Sequence, residues 1–328
     1  MRRIIQVGVG GMGQVWTRAV AESASWEAAA YVDVSHANLM AAAEAHGMPI
    51  ERCFSDVNTA LSTVEADALL DVTPQQYRLD ICREALRHDC DVLCEKPLAD
   101  TVKNARSLLK AVEQSGRRLM VAQNYRYQAL MQTARQYIQR GKLGDLGYVR
   151  IDFFKGPRFG GYREEMDYPL ILDMSIHHFD LLRYLLDTDI RRLRGLSMNA
   201  PWNWNQGDAS VFLHLELANG VTAAYNASWV SPGWETPWNG HWRIEGSEGV
   251  LLIEQDRLFF ANKPDSRREL TLRKFTREHQ DWLLEAFYDC LDKGAEPETS
   301  GRRNINSFAA THAAVKAVQS GRSVNVAG

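Results

Sequence analysis

At 328 residues the chain is long for a single hydrophobic core and is expected to form two domains. Lys and Arg number 38 and Asp and Glu 41, a formal charge of 38 − 41 = −3, so no basic footprint for nucleic acid is present. A composition 45% hydrophobic and 24% charged excludes intrinsic disorder, and no apolar run approaches the ~20 residues that a membrane helix needs.

Residues 1–122 alternate short apolar strands with longer amphipathic stretches. Strands are expected at Arg3–Val9, Ala28–Asp33, Ala68–Val72, Asp91–Cys94 and Leu119–Ala122. Helices are expected at Met12–Glu22, His36–His46, Gln75–His88 and Val102–Gln114. Continuously apolar strands separated by helices indicate a parallel sheet covered on both faces, an α/β doubly wound domain. The start, Met1-Arg2-Arg3-Ile4-Ile5, has the look of an export signal, but Gln6 and the glycines that follow interrupt any apolar core, and it is read as the first strand.

From residue 123 the pattern changes. A helix at Leu130–Arg140 ends at Gly141, a strand covers Leu146–Phe154, and a helix covers Asp173–Leu186. Strand-like segments with turn signals fill Leu193–Leu272, and two helices near Arg277–Lys293 and Asn304–Ser320 close the chain. Strands in succession without intervening helices predict an α+β second domain with a large, mostly antiparallel open sheet. The expected domains are therefore 1–122 for cofactor binding and 123–328 for substrate binding and oligomerisation.

Gly8-Val9-Gly10-Gly11-Met12-Gly13 is a G-x-G-x-x-G segment between the first strand and the first helix. The first glycine permits a tight turn, the second a close approach of backbone to pyrophosphate, and the third close helix–strand packing; the helix start then receives the phosphate charge. Asp33 ends the second strand, 33 − 13 = 20 residues after the last glycine, a spacing that suits a carboxylate bonding ribose hydroxyls. A carboxylate repels a 2′-phosphate, and Val34-Ser35-His36 offers no Arg to receive one, so NAD is favoured over NADP. His36 leaves some tolerance for the phosphate.

Asp91-Val92-Leu93-Cys94 leads into Glu95-Lys96-Pro97, at the carboxyl end of a strand, where such sheets bind their ligands. Pro97 restricts the chain where Lys96 must be aimed, and a cis peptide is one way to do so.

The glycine loop, Thr73-Pro74, Glu95-Lys96-Pro97 and Asp173-x-x-x-His177-x-x-Asp180, with Gly246-Ser247-Glu248-Gly249 and Ser320-Gly321-Arg322-Ser323-Val324, together resemble the glucose–fructose oxidoreductase and inositol dehydrogenase (Gfo/Idh/MocA) family over essentially the whole chain. The resemblance implies a Rossmann domain, a C-terminal open sheet, and oxidation or reduction of a hydroxyl or ketone on a sugar, inositol or polyol. It implies cofactor contacts at Gly8, Gly10, Gly11, Met12, Gly13, Asp33, Ser35, Thr73, Pro74, Gln76, Glu95 and Lys96. It also implies that Lys96, Asp173 and His177 surround the reacting carbon. Many relatives carry a His four residues after the Pro of Thr-Pro; here that position is Arg78.

Independently of the family, Asp173, His177, Asp180 and Tyr184 fall within about 60° of one another on a helical projection. The rest of the segment is mostly apolar, so this narrow polar line is expected to face a cleft. His178 points to the apolar side and reads as a core or interface histidine. No metal is expected, ligation by Asp173, His177 and Asp180 being the disfavoured alternative, since hydride transfer to a nicotinamide needs none.

Six of nine tryptophans lie between 202 and 242, and Trp202 and Trp204 are expected on one face of a strand. Sheet packing or a subunit interface is preferred for them over sugar stacking. Lys155–Arg163, with Gly160-Gly161, reads as a lid whose Tyr162 or Arg163 contacts cofactor or substrate. Gln123–Tyr127 is expected to cross the cleft floor, with Asn124 on substrate. Asn226-Ala227-Ser228 is a glycosylation sequon to which no function is attached. Cys53, Cys82, Cys90, Cys94 and Cys290 form no C-x-x-C and suit reduced thiols in the cytoplasm.

The expected protein is a cytoplasmic NAD-dependent dehydrogenase of a carbohydrate-like small molecule, a homodimer or homotetramer with neither nucleic-acid nor membrane partners. Its rivals are a glycoside hydrolase that oxidises transiently with NAD, and a non-catalytic NAD(P)-sensing regulator.

Overall fold

Strand β1 (Arg2–Val7) buries Ile4 and Ile5 on opposite sides, and the glycine loop carries the chain into α1 (Gly11–Ala21). The computed structural model describes residues 1–327. The alternation continues through β2 (Trp26–Val32), α2 (His36–His46), β3 (Cys53–Phe54), α3 (Val57–Thr63), β4 (Ala68–Asp71), α4 (Arg78–Arg87), β5 (Asp91–Glu95), α5 (Val102–Ser115) and β6 (Leu119–Ala122). All six strands are parallel, in the order β3-β2-β1-β4-β5-β6. This is the doubly wound dinucleotide-binding order, and it places the loops after β1, β4 and β5 on the ligand side of the sheet.

The later elements are α6 (Ala129–Gln139), β7 (Leu146–Phe154), α7 (Tyr162–Glu165), a wide π-helical segment at Leu170–Ser175, α8 (Ile176–Leu186), β8 (Ile190–Met198), β9 (Ser210–Leu217), β10 (Thr222–Ser228), β11 (His241–Gly246), β12 (Gly249–Glu254), β13 (Arg257–Ala261), β14 (Arg268–Glu269), α9 (His279–Asp292), α10 (Gly301–Ser320) and β15 (Val324–Asn325). Nine strands form one sheet in the order β14-β13-β12-β11-β7-β10-β9-β8-β15. Only the β7–β10 pair is parallel, so the sheet is mostly antiparallel as expected.

The linear division at residue 122 differs from the folded one. One compact unit comprises Met1–Tyr127 and Thr276–Ile305; the other comprises Gln128–Phe275 and the chain from Asn306 onward. The reason is packing. Helix α9 buries Leu283, Leu284, Phe287 and Leu291 in the same cluster as Ile4, Trp16, Trp26, Leu70 and Leu93. Phe287 stacks on Trp26 with ring centres 5.5 Å apart, and the Trp26 indole donates to the Leu284 carbonyl at 3.1 Å. Beyond α9, Val121 and Thr299 exchange hydrogen bonds beside β6.

In the second unit the strands alternate with period two. Ile151 and Phe153, Val211, Leu213 and Leu215, and Ala223 and Tyr225 are buried on one face, where Phe179 of α8 meets Tyr225 edge-on. On the other face Leu196, Phe212, Asn226, Asp152 and His241 stand in one cross-strand row, and Leu196, Phe212 and Phe154 are exposed. Trp202 and Trp204 lie in the turns between β8 and β9, not on a strand. Trp242 and Trp229 are buried, whereas Trp202, Trp234 and Trp238 are exposed. Of the six, only Trp242 lies on a strand, where it pairs with the buried Ile151. Among the described residues no helix is long and apolar enough to cross a membrane. All five cysteines are free thiols.

Candidate functional site

The glycine loop is held by close backbone packing. Gly8 has φ +87°, and a Cβ there would stand 2.9 Å from the Val72 carbonyl carbon and oxygen. A Cβ on Gly13 would stand 2.3 Å from the Gly8 carbonyl oxygen, so helix α1 can lie this close to its own strand only without a side chain. Gln6, buried within β1, donates its amide to the carbonyls of Gly8 (3.0 Å) and Gly13 (2.8 Å) and pins both ends of the loop. Gly10 caps α1 with no side-chain bond to the first-turn N–H groups. That uncapped start is what an anionic pyrophosphate requires. Gly11 is also at positive φ, and the Met12 side chain is exposed.

Asp33 lies beside this loop and already has partners. Its Oδ2 accepts from the Val9 N–H at 2.9 Å, its Oδ1 from the Ser35 N–H at 2.8 Å, and the Asn38 amide approaches Oδ2 at 3.4 Å. Ser35 uses its hydroxyl to cap α2, accepting from the Asn38 N–H at 3.3 Å. Asp33 is thus oriented by backbone donors, and Ser35 has a local helix-capping role that explains it without a ligand.

At the ends of β4 and β5 a second group converges. Asp71 is fully buried; its Oδ1 accepts from both the N–H (2.9 Å) and the hydroxyl (2.6 Å) of Thr73. Arg78, 1% exposed, donates from Nε to Asp71 Oδ2 at 3.1 Å, from Nη2 to the Thr73 carbonyl at 2.7 Å, and from Nη1 to the Pro97 carbonyl. Pro74 begins the turn before α4, with its carbonyl bonded to the Tyr77 N–H, and Gln76 in that turn is exposed. This turn delays the helix to Arg78, three residues after its expected start. The Lys96–Pro97 peptide is cis. Glu95 accepts from the Trp16 indole (2.8 Å) and from the Lys96 N–H (3.0 Å). Burial pushes its carboxyl above the usual range, while the Trp16 bond and the charges of Lys96 and Arg78 pull against that rise. Asn124 is half-buried in a single 3₁₀ turn after β6. Its neighbour Gln123 is buried, and neither amide atom meets a protein partner.

In the second unit the polar line expected on one helix separates. Because Leu170–Ser175 is π-helical, the angular projection across positions 173 to 177 does not hold. Asp173 accepts from Arg163 Nε at 2.9 Å, and both stand in a closely packed group with Pro157, Phe159, Asn205 and Trp229 that leaves no room for a water molecule. His177 is buried on the first turn of α8. Asp180 instead accepts from the Ser307 hydroxyl at 2.7 Å in the interior, and Tyr184 lies under the Arg135 guanidinium, 4.1 Å from its ring centre. These two residues are structural. Among the described residues, no group of three or more His, Cys, Asp or Glu stands where it could hold a metal ion. Tyr162 is exposed, and Arg163, not Tyr162, joins this group. His178 is fully buried, bonded to Tyr225 Oη (2.9 Å) and the Trp238 carbonyl (3.2 Å), and burial lowers its pKa to about 4. It is a core histidine.

The missed contributors are Gln6 and the holding role of Arg78. A Gln inside an apolar strand was the signal for the first; the second is set by tertiary contacts.

Two family models match this chain: "Oxidoreductase family, NAD-binding Rossmann fold" over residues 2–123 and "GFO/IDH/MocA C-terminal domain" over residues 131–252. Inositol 2-dehydrogenase from Rhizobium meliloti (strain 1021) is 26% identical over 98% of this chain and 98% of its own length. D-apiose dehydrogenase from Paraburkholderia graminis is 26% identical over 92% of this chain and 83% of its own. An oxidoreductase from Agrobacterium radiobacter, solved with NAD+, L-tartaric acid and magnesium, shares the fold at a TM-score of 0.90 and 22% identity, covering 99% of this chain and 98% of that one.

Proposed function

The chain belongs to the Gfo/Idh/MocA family of oxidoreductases, and from that premise we propose that it is an NAD-dependent dehydrogenase acting on a secondary alcohol of a sugar, inositol, polyol or close relative. The observation that carries the cofactor half is the uncapped glycine turn beside an Asp33 held by the Val9 and Ser35 N–H groups. The substrate class is supported by one group of side chains, Trp229 and Phe159 beside Asp173, Arg163 and Asn205. Aromatic rings suit the apolar side of a sugar ring, and polar groups suit its hydroxyls. The dehydrogenases similar to this chain act on inositol and apiose.

When bound, NAD supplies the acceptor for a hydride from the carbinol carbon. Gly8, Gly10, Gly11, Met12 and Gly13 cradle its pyrophosphate, and Asp33 takes the adenosine ribose. Ser35, Thr73, Pro74, Gln76 and Glu95 complete its surroundings. Lys96 donates to the reacting oxygen and stabilises the charge that develops there. His177 takes the hydroxyl proton as general base. Asp173 favours the resulting imidazolium, sharing its charge with Arg163. Asn124 and Tyr162 are assigned to substrate, Tyr162 from an exposed position.

A screen of inositols, sugars and sugar acids for substrate-dependent reduction of NAD tests this reading. Cleavage of a glycoside without net NADH would replace it with transient oxidation, and tight NAD binding without turnover of any compound would replace it with a sensing role.

We propose further that the open face of the nine-stranded sheet pairs copies of the chain into a dimer or tetramer. Leu196 and Phe212 are cross-strand neighbours there, and both are exposed.

A further inference from the structure

We propose that Arg78 is a positioning residue that sets the place of Lys96 by holding the chain at Pro97. The proposal rests on the reading of Lys96 as a catalytic group. One guanidinium joins three segments at the carboxyl edge of the parallel sheet: the end of β4 through Asp71, the turn after it through the Thr73 carbonyl, and the chain after β5 through the Pro97 carbonyl. Strands β4 and β5 are neighbours, with Asp71 opposite Cys94, so the bridge is short. Pro97 directly follows Lys96, and fixing its carbonyl restricts the backbone from which the Lys96 side chain departs.

The residue type fits this task. Three acceptors in three directions match a planar fork of donors; a Lys offers one point charge and a His only two ring nitrogens. Arg78 and Asp71 are both almost wholly buried, so each charge depends on the other, and the site is built rather than incidental. The two loops depend on it unequally. Besides its carbonyl's bond to Arg78, Thr73 has its own N–H and hydroxyl bonds to Asp71. The Pro97 carbonyl, in contrast, receives Arg78 itself. Losing the fork should therefore disturb Lys96 more than the Thr73 turn.

The test uses the full chain with Arg78→Lys, which keeps the charge and removes the fork. A second variant, the double substitution D71N/R78Q, replaces the buried ion pair with a neutral one should the first not fold. Lys96 is labelled in the folded protein with an amine-reactive acetylating reagent, and rates are read by peptide mass, with Lys103 and Lys110 as internal references. We expect Lys96 in either variant to react about threefold or more faster while the reference lysines keep their rates. For Arg78→Lys, NAD affinity by calorimetry should stay within about threefold, while kcat falls about tenfold to a hundredfold with KM little changed. A merely structural role would shift thermal stability and leave kcat per folded molecule intact. Wild-type labelling of Lys96 with intact turnover in a folded variant overturns the proposal. Should none of the inositols, sugars and sugar acids screened support NAD reduction by the wild-type protein, the dehydrogenase reading fails instead, and the Lys96 labelling still decides whether Arg78 positions it.

Discussion

The backbone N–H of Val9 donates to the Asp33 carboxylate across 2.9 Å, so the glycine loop and the chain directly after β2 are fastened together. Oδ1 is held in turn by the Ser35 N–H, which orients the carboxylate from both sides. A preorganised anion of this kind discriminates against a 2′-phosphate by repulsion rather than by shape. Asp33→Ala should weaken NAD binding and narrow the preference for NAD over NADP. It should also cost about 1–3 kcal/mol of stability, because two backbone donors lose a charged acceptor. Calorimetric titration of both cofactors, with a thermal melt, checks this; a wild-type protein that binds NADP more tightly than NAD refutes it.

Proton handling separates the two basic groups. His177→Ala should lower turnover by roughly 10²–10⁴-fold, the usual worth of a general base, with NAD affinity nearly unchanged. Lys96→Ala should lower turnover with some loss of substrate or cofactor binding as well. Turnover on the identified substrate beside NAD titration distinguishes them. Near-wild-type turnover in His177→Ala would move the base to Lys96.

His178 makes stability depend on acid. Its hydrogen bonds suit one neutral tautomer, with Nε2–H on the Trp238 carbonyl and Nδ1 receiving the Tyr225 hydroxyl. Its pKa of about 4 in the folded protein lies below the ordinary histidine value, so the unfolded chain binds the proton more readily. The stabilisation is present in full above pH ~6.5 and is lost as pH falls towards 4, amounting to roughly 3 kcal/mol over that window. Thermal melts at pH 7, 5.5 and 4.5 should show a smaller loss for His178→Gln than for the wild type, about the baseline set by the remaining groups. Parallel profiles for the two proteins would remove His178 as the cause.

Leu196 and Phe212 are side by side on the open sheet face, more than four-tenths exposed each. In the proposed oligomer, replacing both by Lys should split the copies apart, because charges facing their own copies across a two-fold interface repel. Sedimentation at micromolar concentration should then show a monomer with an unchanged NAD affinity. A wild-type monomer under those conditions would dispose of the assembly.

Much of the first unit was legible because its signals are local. A glycine that must take positive φ, an apolar run of strand length and a carboxylate at a fixed distance along the chain identify themselves in sequence order, and β1, β2, β4, β5 and β6 lie close to where they were expected. The two-residue β3 and the short α3 escaped notice, since neither is long enough to express a period. The antiparallel sheet was visible as strands following one another without helices between them, but its pairing order was not, because succession along the chain does not say which strand is adjacent.

Other features depended on the tertiary structure. A helix near Arg277–Lys293 was expected, yet only packing against Trp16 and Trp26 assigned α9 to the first unit. The polar spacing 173-177-180-184 was real in sequence, but a π-helical turn and the Ser307 hydroxyl sent Asp180 into the core while Asp173 met Arg163. Arg78 looked like a departure from a family pattern until the ends of β4 and β5 brought Asp71, Thr73 and Pro97 around it. Local conformational preference is a property of neighbouring residues and is written along the chain. The partner of a buried charge is chosen by whichever distant segment the fold brings within hydrogen-bonding range.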